Sequence, residues 1–148
     1  MKPVNDTPVY KMLKEYYEKG SLPFHMPGHI FGRGLCDELK LAGSLDITEI
    51  PGSDCLHEPR GVIKEAQDLA ALCFGSDYSF FLVNGSTSGI HAMIQAAVKP
   101  EGKLILGRDC HISALNALAQ INGEPVFVQP EVDEENQIPL GVTAENLE

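Results

Sequence analysis

The chain has 148 residues, of which 43% are hydrophobic and 22% charged, enough length and apolar content for one folded domain with a core. Lys and Arg number 11 against 21 Asp and Glu, a formal charge of −10, and the basic residues do not cluster, which excludes a nucleic-acid or anionic-membrane partner. No apolar run reaches the roughly 18 residues of a membrane span, and Met1-Lys2-Pro3-Val4-Asn5-Asp6 has no apolar signal core, so the expected compartment is cytoplasmic.

A first helix is predicted from Thr7, as cap, and Pro8, at its first position. Tyr10, Leu13, Tyr16 and Tyr17 recur at helical spacing until Gly20 stops it. The stretch Leu22 to Gly34 contains Pro23, Pro27, Gly28, Gly32 and Gly34 and is read as an irregular extended loop carrying His25, His29 and Arg33. Leu45-Asp46-Ile47-Thr48-Glu49-Ile50 alternates like a short strand, ended by the turn residues Pro51-Gly52-Ser53-Asp54. Val62, Ile63, Ala66, Leu69, Ala70 and Cys73 form the apolar stripe of the next helix, with Gly75 as its stop.

The central stretch is Phe80-Phe81-Leu82-Val83-Asn84-Gly85-Ser86-Thr87-Ser88-Gly89. An apolar run breaks into a turn, three hydroxyl residues follow, and an Ala-containing helical pattern begins: strand, turn, helix. At such a junction the first helical N–H groups lack partners and the helix dipole favours an anion. Gly85 lets backbone approach a ligand, and Ser86, Thr87 and Ser88 each offer a donor to a phosphate oxygen. A phosphate cup and a plain helix cap, with Ser86 or Thr87 capping a helix that starts near Ser88, both fit. The nucleoside-triphosphate loop and the dinucleotide fingerprint do not, because their Lys and Gly spacings are missing.

Lys103-Leu104-Ile105-Leu106-Gly107 reads as a buried strand, a helix follows from about Ser113 to Ile121, and Pro125-Val126-Phe127-Val128 is the next strand. The alternation from Phe80 to Val128 is that of a parallel α/β layer, in which ligands sit beyond the carboxyl ends of the strands; Ser86, Thr87, Ser88 and His111 all fall at that rim. From Glu131 to Glu148 the chain is polar and holds six acids, and Thr143 to Glu148 resembles the first turn of a helix. Three strands make a narrow sheet with an exposed edge, so a longer chain or a partner is expected. Cys36, Cys55, Cys73 and Cys110 lack metal-site spacing and are read as free thiols; no metal is expected.

Taken together, His25-Met26-Pro27-Gly28-His29, Asp46-Ile47-Thr48-Glu49-Ile50-Pro51-Gly52, Leu56-His57 through Glu65-Ala66, Asn84 to Gly89 and Arg108-Asp109-Cys110-His111 resemble the ornithine/lysine/arginine decarboxylase family, in the family's order. The resemblance implies pyridoxal phosphate as cofactor and the aspartate-aminotransferase fold (fold type I). It runs over essentially the whole chain, which corresponds to the N-terminal part of the family's major domain: α/β, an incomplete, mostly parallel sheet with flanking helices. Residues 1–58 are then an N-terminal helix with an extended arm at an interface, and residues 59–148 the start of the cofactor-binding large domain.

Carried over by position, Gly85, Ser86, Thr87 and Ser88 resemble the phosphate cup, and His111 the imidazole that stacks on the pyridine ring; the other reading of His111 is a polar cap on its helix. None of the eight lysines, Lys2, Lys11, Lys14, Lys19, Lys40, Lys64, Lys99 and Lys103, stands in a Ser-x-His-Lys context, so the Schiff-base Lys is missing and no catalytic residue is assigned. The expectation is an N-terminal fragment of a decarboxylase of lysine, ornithine or arginine, polyamine chemistry, with a partial cofactor site and no turnover alone. A homodimer or higher homo-oligomer, or the remainder of the chain, is the expected partner. The alternatives are a non-catalytic assembly module, which pairs the unfinished sheet with another chain, and a different fold-type-I enzyme such as an aminotransferase.

Overall fold

The computed structural model describes residues 6–147, which form two compact units, one ending at Phe81 and one beginning at Leu82. The first unit is helical. Its first helix, α1 (Pro8–Glu18), starts at the expected proline, whose missing N–H costs nothing in a first turn, and the chain turns off at Gly20 with φ +66°. Thr7 stands at the cap position but makes no side-chain cap bond. Helix α3 (Val62–Phe74) ends on Gly75 in the left-handed conformation, φ +67°, and α1 packs against it.

Between them lies α2 (Asp37–Ser44), which the sequence pattern did not announce. Asp37 and Glu38 in its first turn complement the helix dipole, and the backbone amide of Glu38 together with the Cys36 thiol holds the Glu38 carboxyl below its ordinary range. Gly43 meets Gly32 so closely that a Cβ on Gly43 would lie 2.7 Å from the Gly32 Cα, which locks the Pro-Gly loop onto this helix. In that loop Phe31 is buried against Tyr16 and Tyr17, edge to face at 5.6 and 5.4 Å, and His25 accepts from or donates to the Tyr16 hydroxyl at 3.0 Å.

The strand expected over Leu45–Ile50 is not formed. The buried Ser53 hydroxyl takes its place: Oγ accepts from the Ile50 N–H at 2.8 Å and lies 2.9 Å from the Ile50 carbonyl, so a turn satisfies the backbone that a ladder would have served.

The second unit carries the α/β layer. After α4 (Gly85–Ala97) come β1 (Lys103–Gly107), α5 (Ile112–Gln120) and β2 (Glu124–Val128), a strand-helix-strand crossover whose strands pair in parallel from Lys103↔Glu124 to Gly107↔Val128. The α5 core residues Ala117 and Leu118 are fully buried, and Ile94 of α4 nearly so; α4 and α5 pack side by side. At Gly123 a Cβ would come within 2.3 Å of the buried Leu118 side chain, so a larger residue in the turn into β2 would have to displace it.

Two further expectations are corrected. Phe80–Val83 is extended but pairs with no described strand, and Phe80 and Val83 are about three-quarters exposed (76% and 75%), so the parallel sheet has two strands rather than three. A strand exists only by its neighbour's hydrogen bonds, and no described segment supplies them. The acidic stretch after Glu131, in turn, is a hairpin, β3 (Glu131–Asp133) and β4 (Ile138–Gly141), antiparallel with an irregular register at Glu131/Val132, followed by a 3-10 turn, Glu145–Leu147. The Asp133 carboxylate accepts from the Asn136 side chain at 2.7 Å and from the Glu135 and Asn136 amides, which makes the turn and lowers its own pKa. The α/β class itself stands.

A candidate phosphate site at an open helix start

Helix α4 begins at Gly85, three residues earlier than the cap reading required, so Ser86, Thr87 and Ser88 all lie inside its first turns. Gly85 has φ +71° and nothing within 4 Å of where a Cβ would stand. The residue before it, Asn84, makes no side-chain cap bond, and there is no acid in the first turn. Ser88 is committed, its hydroxyl donating to the Gly85 carbonyl at 2.8 Å. Ser86 and Thr87 are exposed and have no hydrogen-bond partner among the described residues. The first turn therefore presents unclaimed amides, two free hydroxyls and the positive end of a dipole. Gly89, one turn on, lets the helix close on the incoming chain: a Cβ there would lie 2.6 Å from Leu82 Cδ1.

His111 precedes α5 and caps it. Its Nδ1 accepts from the Ser113 N–H at 3.2 Å and sits 2.8 Å from the buried Ser113 hydroxyl. These bonds lie in the plane of the ring and leave the faces of an exposed imidazole open, so capping and stacking do not compete. Arg108 nearby is spent on Phe127, its guanidinium 4.6 Å from the ring centre.

The two first turns share one end of the layer. The amide of Gln95, near the end of α4, donates to Oε1 of Gln120, the last residue of α5, at 2.5 Å, and Gln120 Nε2 donates to His91 Nδ1 at 3.2 Å. Side-by-side helices joined at their C-terminal ends run in the same direction. The first turns of α4 and α5 thus open toward the end where β1 runs out into Arg108–His111.

Two polar groups stand outside the residues singled out above. His91 Nε2 is buried with no hydrogen-bond partner among the described residues, at a cost of about 1–3 kcal/mol for an unmet donor. In the first unit, the half-buried Asp54 carboxylate collects the amides of Cys55, Arg60, Gly61, Ile63 and Lys64 at 2.8–3.2 Å and so closes the start of α3, whose own cap position is the side-chain-less Gly61. The Arg60 amide foremost, with those of Cys55, Gly61 and Lys64, holds its carboxyl well below the usual carboxylate range against the opposing effect of burial. Only the missing side chain at Gly61 hinted that this cap had to come from elsewhere.

Among the described residues no group of three or more His, Cys, Asp or Glu is placed to hold a metal, and no helix is long and apolar enough to cross a membrane. The donor set fits a phosphate monoester: open amides, two hydroxyls, room at Gly85 and no acid in the first turn.

This architecture is that of a solved class of α/β enzyme. The coordinates superpose on lysine decarboxylase A from Pseudomonas aeruginosa with a TM-score of 0.71 at 25% identity, over 84% of this chain and 18% of that one. Residues 7–148 match the model of the Orn/Lys/Arg decarboxylase major domain, and the chain belongs to that family. It is 42% identical to the uncharacterized protein YaaO of Bacillus subtilis (strain 168), over 97% of this chain and 32% of that protein. It is 39% identical to an arginine decarboxylase of the same organism, over 96% and 30%. The chain spans about a third of the length of these two relatives. Family membership sets aside the aminotransferase alternative.

Proposed function

We propose that this chain carries the phosphate-gripping part of a pyridoxal phosphate site in a cytoplasmic decarboxylase of basic amino acids. Gly85, Ser86 and Thr87 would form the cup, with Ser88 bracing it through its bond to the Gly85 carbonyl rather than donating to phosphate as its sequence position suggested, and His111 would lie against the pyridine ring. The observation that carries the reading is the open first turn of α4, where Ser86 and Thr87 have no partner in the described chain. When bound, the cofactor supplies the electron sink for the pair released as carbon dioxide leaves. The residues of this chain do the holding: amides and hydroxyls neutralise and orient the phosphate, and the imidazole restricts tilt of the ring. Arginine stands first among lysine, ornithine and arginine as substrate, because the arginine decarboxylase is the more similar of the named enzymes. In this reading residues 1–58 are an interface arm, residues 59–148 open the large domain, and the complete enzyme works as a homodimer or larger homo-oligomer.

Pyridoxamine phosphate tests the cup without imine formation on surface lysines. The 148-residue chain is expected to bind it, to release it to inorganic phosphate, and to ignore pyridoxamine. Ser86→Ala with Thr87→Ala is expected to weaken binding about ten- to a hundredfold, the worth of one or two hydrogen bonds to a charged group. Equal binding of pyridoxamine with and without its phosphate would overturn the cup. No carbon dioxide is expected from arginine, lysine or ornithine with this chain and pyridoxal phosphate, since none of its lysines has the Ser-x-His-Lys setting.

A second reading, an assembly module, is favoured by the exposed Phe80–Val83 run, which is built like a strand and left unpaired. A sedimentation profile that stays monomeric across concentration and with decarboxylase polypeptides added would remove it.

A further inference from the structure

The helices whose first turns carry the proposed site are also joined by a polar seam that the site does not use. Their buried apolar residues, Ile94 on α4 and Ala117 and Leu118 on α5, hold them together without direction, and apolar contact alone tolerates a slide of one helix along the other at about 1.5 Å per residue. Gln120 removes that freedom. Its Oε1 accepts from Gln95 at 2.5 Å and its Nε2 donates to His91 Nδ1 at 3.2 Å, so one side chain at the end of α5 is pinned to two α4 residues one turn apart. With Nδ1 as acceptor, the neutral imidazole carries its proton on Nε2, the buried atom that finds no acceptor among the described residues. A leucine at position 91 would bury no such donor. The chain thus keeps a directional contact at the expense of an unmet one.

We propose that the Gln95–Gln120–His91 seam is a positioning device, which sets the register of α4 against α5 and through it the placement of Ser86 and Thr87 relative to His111. This rests on the cofactor reading above. Inorganic phosphate needs only the α4 turn, whereas pyridoxamine phosphate needs the turn and the His111 ring in register.

The test uses the full 148-residue chain with Gln120→Leu and His91→Leu. Both variants are expected to stay folded, Gln120→Leu melting near the wild type and His91→Leu at or above it, to bind inorganic phosphate as the wild type does, and to lose about tenfold in affinity for pyridoxamine phosphate, the scale of one ring-stacking contact. Amide resonances of Ser86 to Ser88 and of Ile112 to Ala114 should shift in both. Gln120→Glu should restore the affinity: its carboxylate accepts from Gln95 and, once the His91 proton moves to Nδ1, from the imidazole, a tautomer change that the imidazole nitrogen shifts report. Equal weakening of both ligands, or an unchanged affinity for pyridoxamine phosphate, would overturn the proposal. If Gln120→Leu fails to fold, His91→Leu makes the same comparison. Should the wild type bind neither ligand, the cofactor reading fails by itself, and unmoved first-turn amides in the variants would then overturn the seam.

Discussion

Two helices, α3 in the first unit and α4 in the second, have their starts treated in opposite ways. In the first, the cap position of α3 is Gly61, with no side chain, and the chain sends Asp54 from a loop several residues upstream to collect five amides. In the second, α5 is closed by His111, but α4 starts uncapped with two hydroxyls unused. Neither α1 nor α2 has a side-chain cap either, but Pro8 removes one donor from α1 and Asp37 and Glu38 place carboxylates in the first turn of α2; α4 has no such substitute and keeps two hydroxyls beside its open amides. The first unit is held by loop-to-backbone contacts such as Ser53 and Asp54, the second by apolar packing of α4 and α5.

The contrast can be broken most forcefully in the second unit's core. Leu118→Ala removes the largest fully buried side chain and is expected to cost about 3 kcal/mol in urea denaturation, with binding lost only because the unit unfolds. Next comes Asp54→Ala, which should lower the melting temperature of the first unit while leaving phosphate binding in the second untouched; an unchanged melt would mean that the five amides are served as well by water.

Acid sharpens the same point. The Asp54 carboxyl binds its proton less readily in the folded chain than in the unfolded one, where it titrates near about 3.9. Its contribution is therefore complete above that value and drains away as the pH falls toward the depressed folded value. Melting of the first unit followed from pH 6 downward should show this loss in the wild type and a flatter profile in Asp54→Asn.

Smaller effects separate strain from ligand binding at α4. Gly85→Ala meets no neighbouring atom, so its expected cost, about 1 kcal/mol, is that of a left-handed backbone alone. Thr87→Asp is the smallest in stability and the most pointed: a carboxylate in the first turn should stabilise the helix by about 0.5 kcal/mol while abolishing phosphate binding. A variant that is destabilised, or that still binds phosphate, would show that the open turn is not an anion site.

Much of this was legible in the residues. Thr7-Pro8 and Gly20 bracket α1, the stripe from Val62 to Cys73 with Gly75 marks α3, and the Lys103–Val128 alternation forecasts the parallel crossover, because each shows as a stop residue, a periodicity or an order of elements along the chain. The motif spread from His25 to His111 carried the family, and the hydroxyl run Ser86-Thr87-Ser88 marked the candidate site. Tertiary structure alone decided the rest. Leu45–Ile50 and Phe80–Val83 have strand-like residues but no pairing neighbour, α2 is held by the Gly32–Gly43 approach, and the acids after Glu131 fold back through the Asp133 turn. Asp54 and Gln120 act on residues up to ten and 29 positions away. A helix closes its bonds four residues back along the chain, whereas a strand, a distant cap or a seam between helices exists only where the fold brings its other half.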